Sequence, residues 1–135
     1  MRKSPKNLVE LVTGPGIEQE VSSIQKLRHP NVVQLLGVSQ IRQSDKTGCT
    51  QIRLLVFEDF SRGSSLAVHL DQGLPVDPAT LRFYSACILE ALAYMHSHNV
   101  VHRDLRETSL FLEGGPPAQV RVGDFSIDRR IRSDH

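Results

Sequence analysis

The chain has 135 residues, 16 Lys and Arg against 15 Asp and Glu, and a net charge of +1. That length allows one domain or part of one. The charge balance gives no general attraction to nucleic acid or membrane surfaces, and no apolar run approaches the ~20 residues of a membrane span. The basic start, Met1 to Lys6, lacks the apolar core of a signal peptide. Cys49 and Cys87 show neither metal-ligand nor redox spacing. Free thiols in a reducing, cytoplasmic compartment are therefore expected.

Residues 1–16 form a poorly ordered lead-in in which Leu8 to Val12 reads as a short strand or a helical turn. Gly14-Pro15-Gly16 breaks the backbone. From Ile17 the apolar positions are Ile17, Val21, Ile24 and Leu27, which is helical spacing. Pro30 stops that helix, because proline disfavours helical geometry in the residue before it. Asn31 to Ile41 reads as a strand, and Arg42 to Thr50 as a polar, turn-prone loop. Ile52 to Phe57 reads as a second strand, buried on both faces by its near-continuous apolar character. The two strands pair as an antiparallel hairpin with a long loop.

Glu58 to Gly63 is a connector, followed by a short helix from Ser65 to Leu70. Asp77-Pro78 is an N-cap followed by proline at the first helical position. It opens a helix over about 78–97, with Leu81, Ser85, Ile88, Leu92 and Met95 along one face. Two short strands, Leu110 to Leu112 and Val120 to Val122, flank a turn at Gly114-Gly115-Pro116-Pro117. His29, His69, His96 and His98 show no paired metal spacing. Arg129, Arg130 and Arg132 read as a solvated basic surface.

The chemistry-bearing stretch is Val100-Val101-His102-Arg103-Asp104-Leu105-Arg106-Glu107-Thr108-Ser109, with Asp124-Phe125-Ser126 some twenty residues on. Taken by itself, Asp104 could be an aspartate capping its own loop. Together the two segments resemble the catalytic loop and the Asp-Phe-Gly metal motif of the protein kinases. The order of the flanking elements agrees from about residue 17 onward. The resemblance implies a partial α+β kinase fold, with part of the smaller lobe and hinge over 17–60 and part of the larger lobe over 61–135.

The resemblance also implies roles. Asp104 takes the catalytic-base position and Arg106 the position of the catalytic-loop lysine. Asp124 takes the magnesium position. Ser109 stands where the family has a metal-binding asparagine, and Ser126 where it has glycine. Glu20 matches the helix glutamate that pairs with a lysine. Phe57 matches the gatekeeper, and Glu58 to Phe60 the adenine-contacting hinge. Ile24, Leu35, His102 and Phe125 match the apolar spine that links the lobes. In the family Arg103 meets a phosphorylated activation loop.

The family's glycine-rich loop, its lysine-bearing strand and its Ala-Pro-Glu motif have no counterpart in these 135 residues. Within the family, Ser65-Leu66-Ala67, Val100-Val101-His102 and Asp124-x-Ser126-Ile127 are similar to a degenerate domain. That domain precedes the active kinase in the amino-acid-starvation kinase of translation initiation factor 2 alpha. His102-Arg103-Asp104 is intact here, which that likeness does not require.

The resulting expectation is a pseudokinase-like regulatory module. It acts by packing against a kinase domain or another protein partner, binds neither nucleic acid nor membrane, and needs no cofactor. The alternatives are a fragment of a serine/threonine kinase, using ATP and magnesium once its parent domain is intact, and a truncated product that does not fold alone. An unpaired edge on the 52–57 strand is expected to favour self-association.

Overall fold

The computed structural model describes residues 9–12, 17–46, 48–58, 64–73, 75–115 and 117–125. Val9–Val12 forms strand β1, which resolves the choice between strand and helical turn. Helix α1 spans Ile17–Gln25 and buries Val21 and Ile24. Strand β2 covers Leu35–Asp45 and β3 covers Gly48–Phe57. Both are antiparallel neighbours in a sheet of order β1-β3-β2.

The hairpin corrects two expectations. Its arms continue through the stretch read as a loop, and the last pair is Asp45 with Gly48, leaving two residues for the turn. Polar residues are tolerated there because a projecting two-stranded ribbon is solvated, and Arg42 and Ser44 are exposed. Nor is β3 buried on both faces. Arg53, Leu55 and Phe57 are buried while Leu54 and Val56 are half-buried, the alternation of a sheet with one core face.

The expected unpaired edge of β3 is also corrected. Strand β1 lies along it, with Val9 opposite Val56 and Val12 opposite Arg53.

The second half begins with β4, Ser64–Ser65, and α2, Leu66–Asp71, capped by the Ser65 hydroxyl, which accepts from the Val68 N–H at 3.3 Å. Helix α3 runs over Pro78–Ser97. Its N-cap is Asp77, whose carboxylate accepts from the N–H groups of Ala79 at 2.9 Å and Thr80 at 3.0 Å. The packed face of α3 is Tyr84, Cys87, Ala91 and Met95. Of the face read from the sequence only Met95 is fully buried, and Leu81 is exposed. The helix is apolar around more than one face. The phase with the small residues Cys87 and Ala91 is the one that packs on the following hairpin.

That hairpin is β5, Leu110–Glu113, and β6, Gln119–Val122, in a second antiparallel sheet of order β4-β5-β6. The two sheets are joined through the segment after α1. Val33 N–H donates to Val122 O at 2.9 Å, and Val122 N–H to Asn31 O at 2.8 Å. The Asn31 side-chain amide adds a bond to Val120 O at 2.9 Å. Tyr94 of α3 accepts the Arg28 N–H at 2.9 Å and faces the His29 ring at 4.9 Å. The helix itself ends at Gln25, short of the expected stop at Pro30, and the segment around Pro30 is where one half of the fold is stitched to the other.

Candidate functional site

The site begins where α3 ends. Asn99 takes a left-handed φ of 58°, and the Val100 N–H returns to Met95 O at 2.9 Å. The chain then runs through a buried His102. The Asp104 N–H donates to His102 Nδ1 at 3.3 Å, so the ring proton sits on Nε2, which donates to the Gly123 carbonyl at 2.5 Å. The Gly123 N–H donates to Ser109 O at 2.9 Å. Both sides of the residue before Asp124 are therefore held by the 102–109 loop. A side chain at Gly123 would meet Phe111 at 2.9 Å and Val33 at 3.0 Å, so glycine is required by close approach.

Arg103 and Asp124 have positive φ, 71° and 52°. Such geometry is costly for non-glycine residues and persists where the surroundings impose it. The hydrogen bonds to His102 and Gly123 are that surrounding. Phe125 is buried between Phe57, at 6.1 Å, and His102, at 5.7 Å between ring centroids. Ile24, Leu35, His102 and Phe125 all belong to the buried interior.

Asp104 is bound by Arg106. The guanidinium Nε and Nη2 reach Oδ1 at 3.1 and 2.8 Å, and Nη2 reaches Oδ2 at 2.6 Å. Both carboxylate oxygens are thus engaged by one cation. The Ser109 hydroxyl is buried and closed on the same residue: it accepts the Arg106 N–H at 3.0 Å and donates to the Arg106 carbonyl at 2.8 Å. Glu20 of α1 forms an ion pair with Arg103. These two also line an open polar recess of about 410 Å³ with Gln19, Ser23, His98 and Asn99. Neither Asp104 nor Asp124 lines it.

On the far side, Phe57 is packed in the core. The Glu58 N–H donates to Gln34 O at 2.9 Å, and its carboxylate accepts the Gln34 N–H at 2.8 Å. Arg121 of β6 reaches Glu58 at 2.5 Å, Glu113 at 3.4 Å and the Pro30 carbonyl at 3.3 Å. It ties the segment leaving β3 to the strand that ends before Asp124. Phe60 and Ser126 lie outside the described residues. Sequence reasoning missed Arg121, Gln34 and Gly123. Only Gly123, a glycine directly before the acidic motif, carried a signal.

A divalent cation of the magnesium type takes oxygen ligands, keeps several waters and binds through one or two carboxylates plus phosphate oxygens. Asp124 fits that requirement. Ser109 does not, because its hydroxyl is buried and bonded to the Arg106 backbone in both directions. Among the described residues no three His, Cys, Asp or Glu side chains are grouped to hold a metal.

The 102–109 loop is thus hydrogen-bonded to the residue before Asp124, on a fold of mixed helix and sheet. The sequence model of the protein kinase domain matches residues 3–135. The chain belongs to the protein kinase domain family, and the match reaches back into the lead-in. It is 34% identical to the eIF-2-alpha kinase GCN2 of Mus musculus over 116 residues, 86% of this chain and 7% of that protein. It is 36% identical to the serine/threonine-protein kinase SSK22 of Saccharomyces cerevisiae over 117 residues, 87% of this chain and 8% of that protein. The fold is similar to that of Rad53 in complex with AMP-PNP, with a TM-score of 0.70 and 29% identity over 88% of this chain and 30% of that chain. The chain thus spans less than a tenth of these two curated relatives.

Proposed function

We propose that this chain is a pseudokinase-like regulatory module, which binds a kinase domain or another protein and does not itself transfer phosphate. The observation that carries the reading is the Arg106 guanidinium on both oxygens of Asp104. A catalytic base must meet the substrate hydroxyl within hydrogen-bond reach. Here that reach is occupied by a charge-assisted pair, among the stronger hydrogen bonds available to a side chain. Ser109 adds to it, since the hydroxyl at the second metal position is spent on the loop's own backbone. The likeness to an eIF-2-alpha kinase favours a cytoplasmic module that serves a stress-response kinase.

In this reading Asp104 and Arg106 are a structural pair, and Glu20 orients α1 through Arg103. Phe57 fills the back of the cleft, Glu58 lies at the hinge, and Asp124 keeps a cation position. The intact His102-Arg103-Asp104 supports a second reading: part of a serine/threonine kinase that is active, with ATP and magnesium, in its full-length setting. The test is phosphoryl transfer from labelled ATP to a general serine/threonine substrate and to the chain itself. No incorporation above that of Asp104→Ala is expected. Magnesium-dependent incorporation that Asp104→Ala abolishes would make the chain an enzyme.

A further inference from the structure

The far end of the β2–β3 ribbon has no part in the cleft. Strand β1 stops opposite Arg53, so among the described residues no third strand flanks the pairs from Ile41–Ile52 to Asp45–Gly48. Ile41, Arg42, Ser44, Lys46 and Cys49 are all exposed there. An end with so little buried apolar surface opens locally at small cost. Ser44 lies one pair short of the turn, opposite Cys49. Arg42 stands two residues before it, on the same face of the strand, and Lys46 two residues after.

The other exposed serines among the described residues lack this combination. Ser22, Ser85 and Ser97 sit in helices α1 and α3, whose backbone is not extended. Ser85 and Ser97 also donate their hydroxyls to Leu81 O at 2.9 Å and Tyr94 O at 2.7 Å. Ser39 pairs with Leu54, in the part of the sheet that β1 covers, and has Gly37 and Ile41 two residues away. Ser64 has Arg62 two residues before it but Leu66 two residues after, and is held against Leu112 of β5.

An enzyme that modifies a peptide segment takes it in extended form and reads the charges around the acceptor. We infer that Ser44 is a phosphate acceptor for a separate serine/threonine kinase whose substrate groove is acidic, and that the phosphate reverses the charge of the ribbon end. In the step, Ser44 Oγ bonds to the γ-phosphorus of ATP as the bond from that phosphorus to the bridging oxygen breaks. ADP leaves, and the hydroxyl proton passes to the modifying enzyme's base. Arg42 and Lys46 against Asp45 leave the ribbon end net positive. A phosphoserine adds about −1.5 to −2 charges at pH 7, which turns it negative. Arg42 then serves the phosphate as a charge-assisted partner from the same face. A projecting surface that changes sign exchanges the partners it admits. The inference stands on the ribbon alone and does not depend on whether this chain itself transfers phosphate.

The test is incubation of the full chain with ATP, magnesium and the catalytic fragment of protein kinase C, a kinase that prefers basic substrates. Tandem mass spectrometry reads the occupancy of each serine over time, with a parallel sample lacking the added kinase. Phosphate is expected at Ser44 in the presence of the added kinase only, ahead of Ser39 and Ser64. Arg42→Gln should lower the rate at Ser44 about tenfold, the worth of one charge-assisted contact, and Arg42→Lys should restore most of it. Both positions are exposed, and an unchanged melting temperature shows that each variant keeps the fold. No phosphate at Ser44, Ser39 or Ser64 modified as fast, or an unchanged rate in Arg42→Gln would overturn the inference. Phosphate at Ser44 without the added kinase would also overturn it, and would count against the regulatory reading as well. The other outcomes leave that reading untouched.

Discussion

His102 and Gly123 are joined by a hydrogen bond of 2.5 Å from the imidazole Nε2 to the glycine carbonyl, deep in the core. The bond fixes the backbone one residue ahead of Asp124, whose φ of 52° needs such support. His102→Phe keeps the ring in contact with Phe125 but leaves the Gly123 carbonyl unpaired. An unsatisfied buried acceptor costs about 1–3 kcal/mol. Urea denaturation of this variant should show a loss in that range, with faster hydrogen exchange at the Gly123 amide. Unchanged exchange would mean that the histidine is packing alone.

Glu20 and Arg103 link α1 to the same loop. Their side chains are 15% and 29% exposed, between a surface pair and a buried one. A double-mutant cycle with Glu20→Gln and Arg103→Gln should give a coupling of about 1–3 kcal/mol, above the surface range and below a fully buried pair. The coupling should weaken only modestly in 1 M salt, because partly buried charges are screened less. A coupling near zero would release α1 from the loop and remove Glu20 from the site.

Asp77 gives the pH-dependent expectation. The Thr80 hydroxyl, then the N–H groups of Thr80 and Ala79, hold its carboxyl below the usual range. The folded pKa is lower than the unfolded one, so the cap stabilises fully above the unfolded value of about 4. That contribution fades as pH falls through the folded pKa. Asp77→Ala should therefore melt lower than the native chain at pH 7, and the gap should narrow below about pH 4. A gap independent of pH would show that the ionised cap is not what the variant removes.

The parts of this molecule that were legible in the sequence are those with a local cause. Asp77-Pro78 marks the start of α3, and Gly14 to Gly16 and Pro30 bracket α1 from outside. The kinase-like segments 102–109 and 124–125 were legible because their residues are consecutive. The phase of α3 was not, since Leu81, Leu89 and Leu92 satisfy a helical period as well as Cys87 and Ala91 do. Only the strand that packs on the helix decides between them. The length of the β2–β3 hairpin was hidden because a solvated ribbon carries no apolar alternation. Arg121 was invisible for another reason: Glu58, Glu113 and Pro30 converge on it from three separate segments. Glu20 was legible as a charged position, but its partner Arg103 is 83 residues away, and no spacing rule connects them.

Strand β1 carries the last prediction. It covers β3 from Arg53 to Val56, the part of the hairpin nearest the core. Without that cover, a row of unpaired N–H and C=O groups would lie beside the buried side chains of Leu55 and Phe57. Such an edge is a template for pairing with another chain. Leu11 sits opposite Leu54 in the middle of the four-residue strand. Leu11→Pro puts a fixed φ of about −65° where an extended strand is needed and removes a backbone donor. A strand this short has no spare pairs, so the substitution should release it. Sedimentation velocity should then show concentration-dependent association in Leu11→Pro beyond that of the native chain. Pairing through β3 is distinguished from general unfolding by a second change: Val56→Lys places a charge on the exposed edge and should suppress the association. Leu11→Pro that is no more associated than the native chain would show that β1 does not guard this edge.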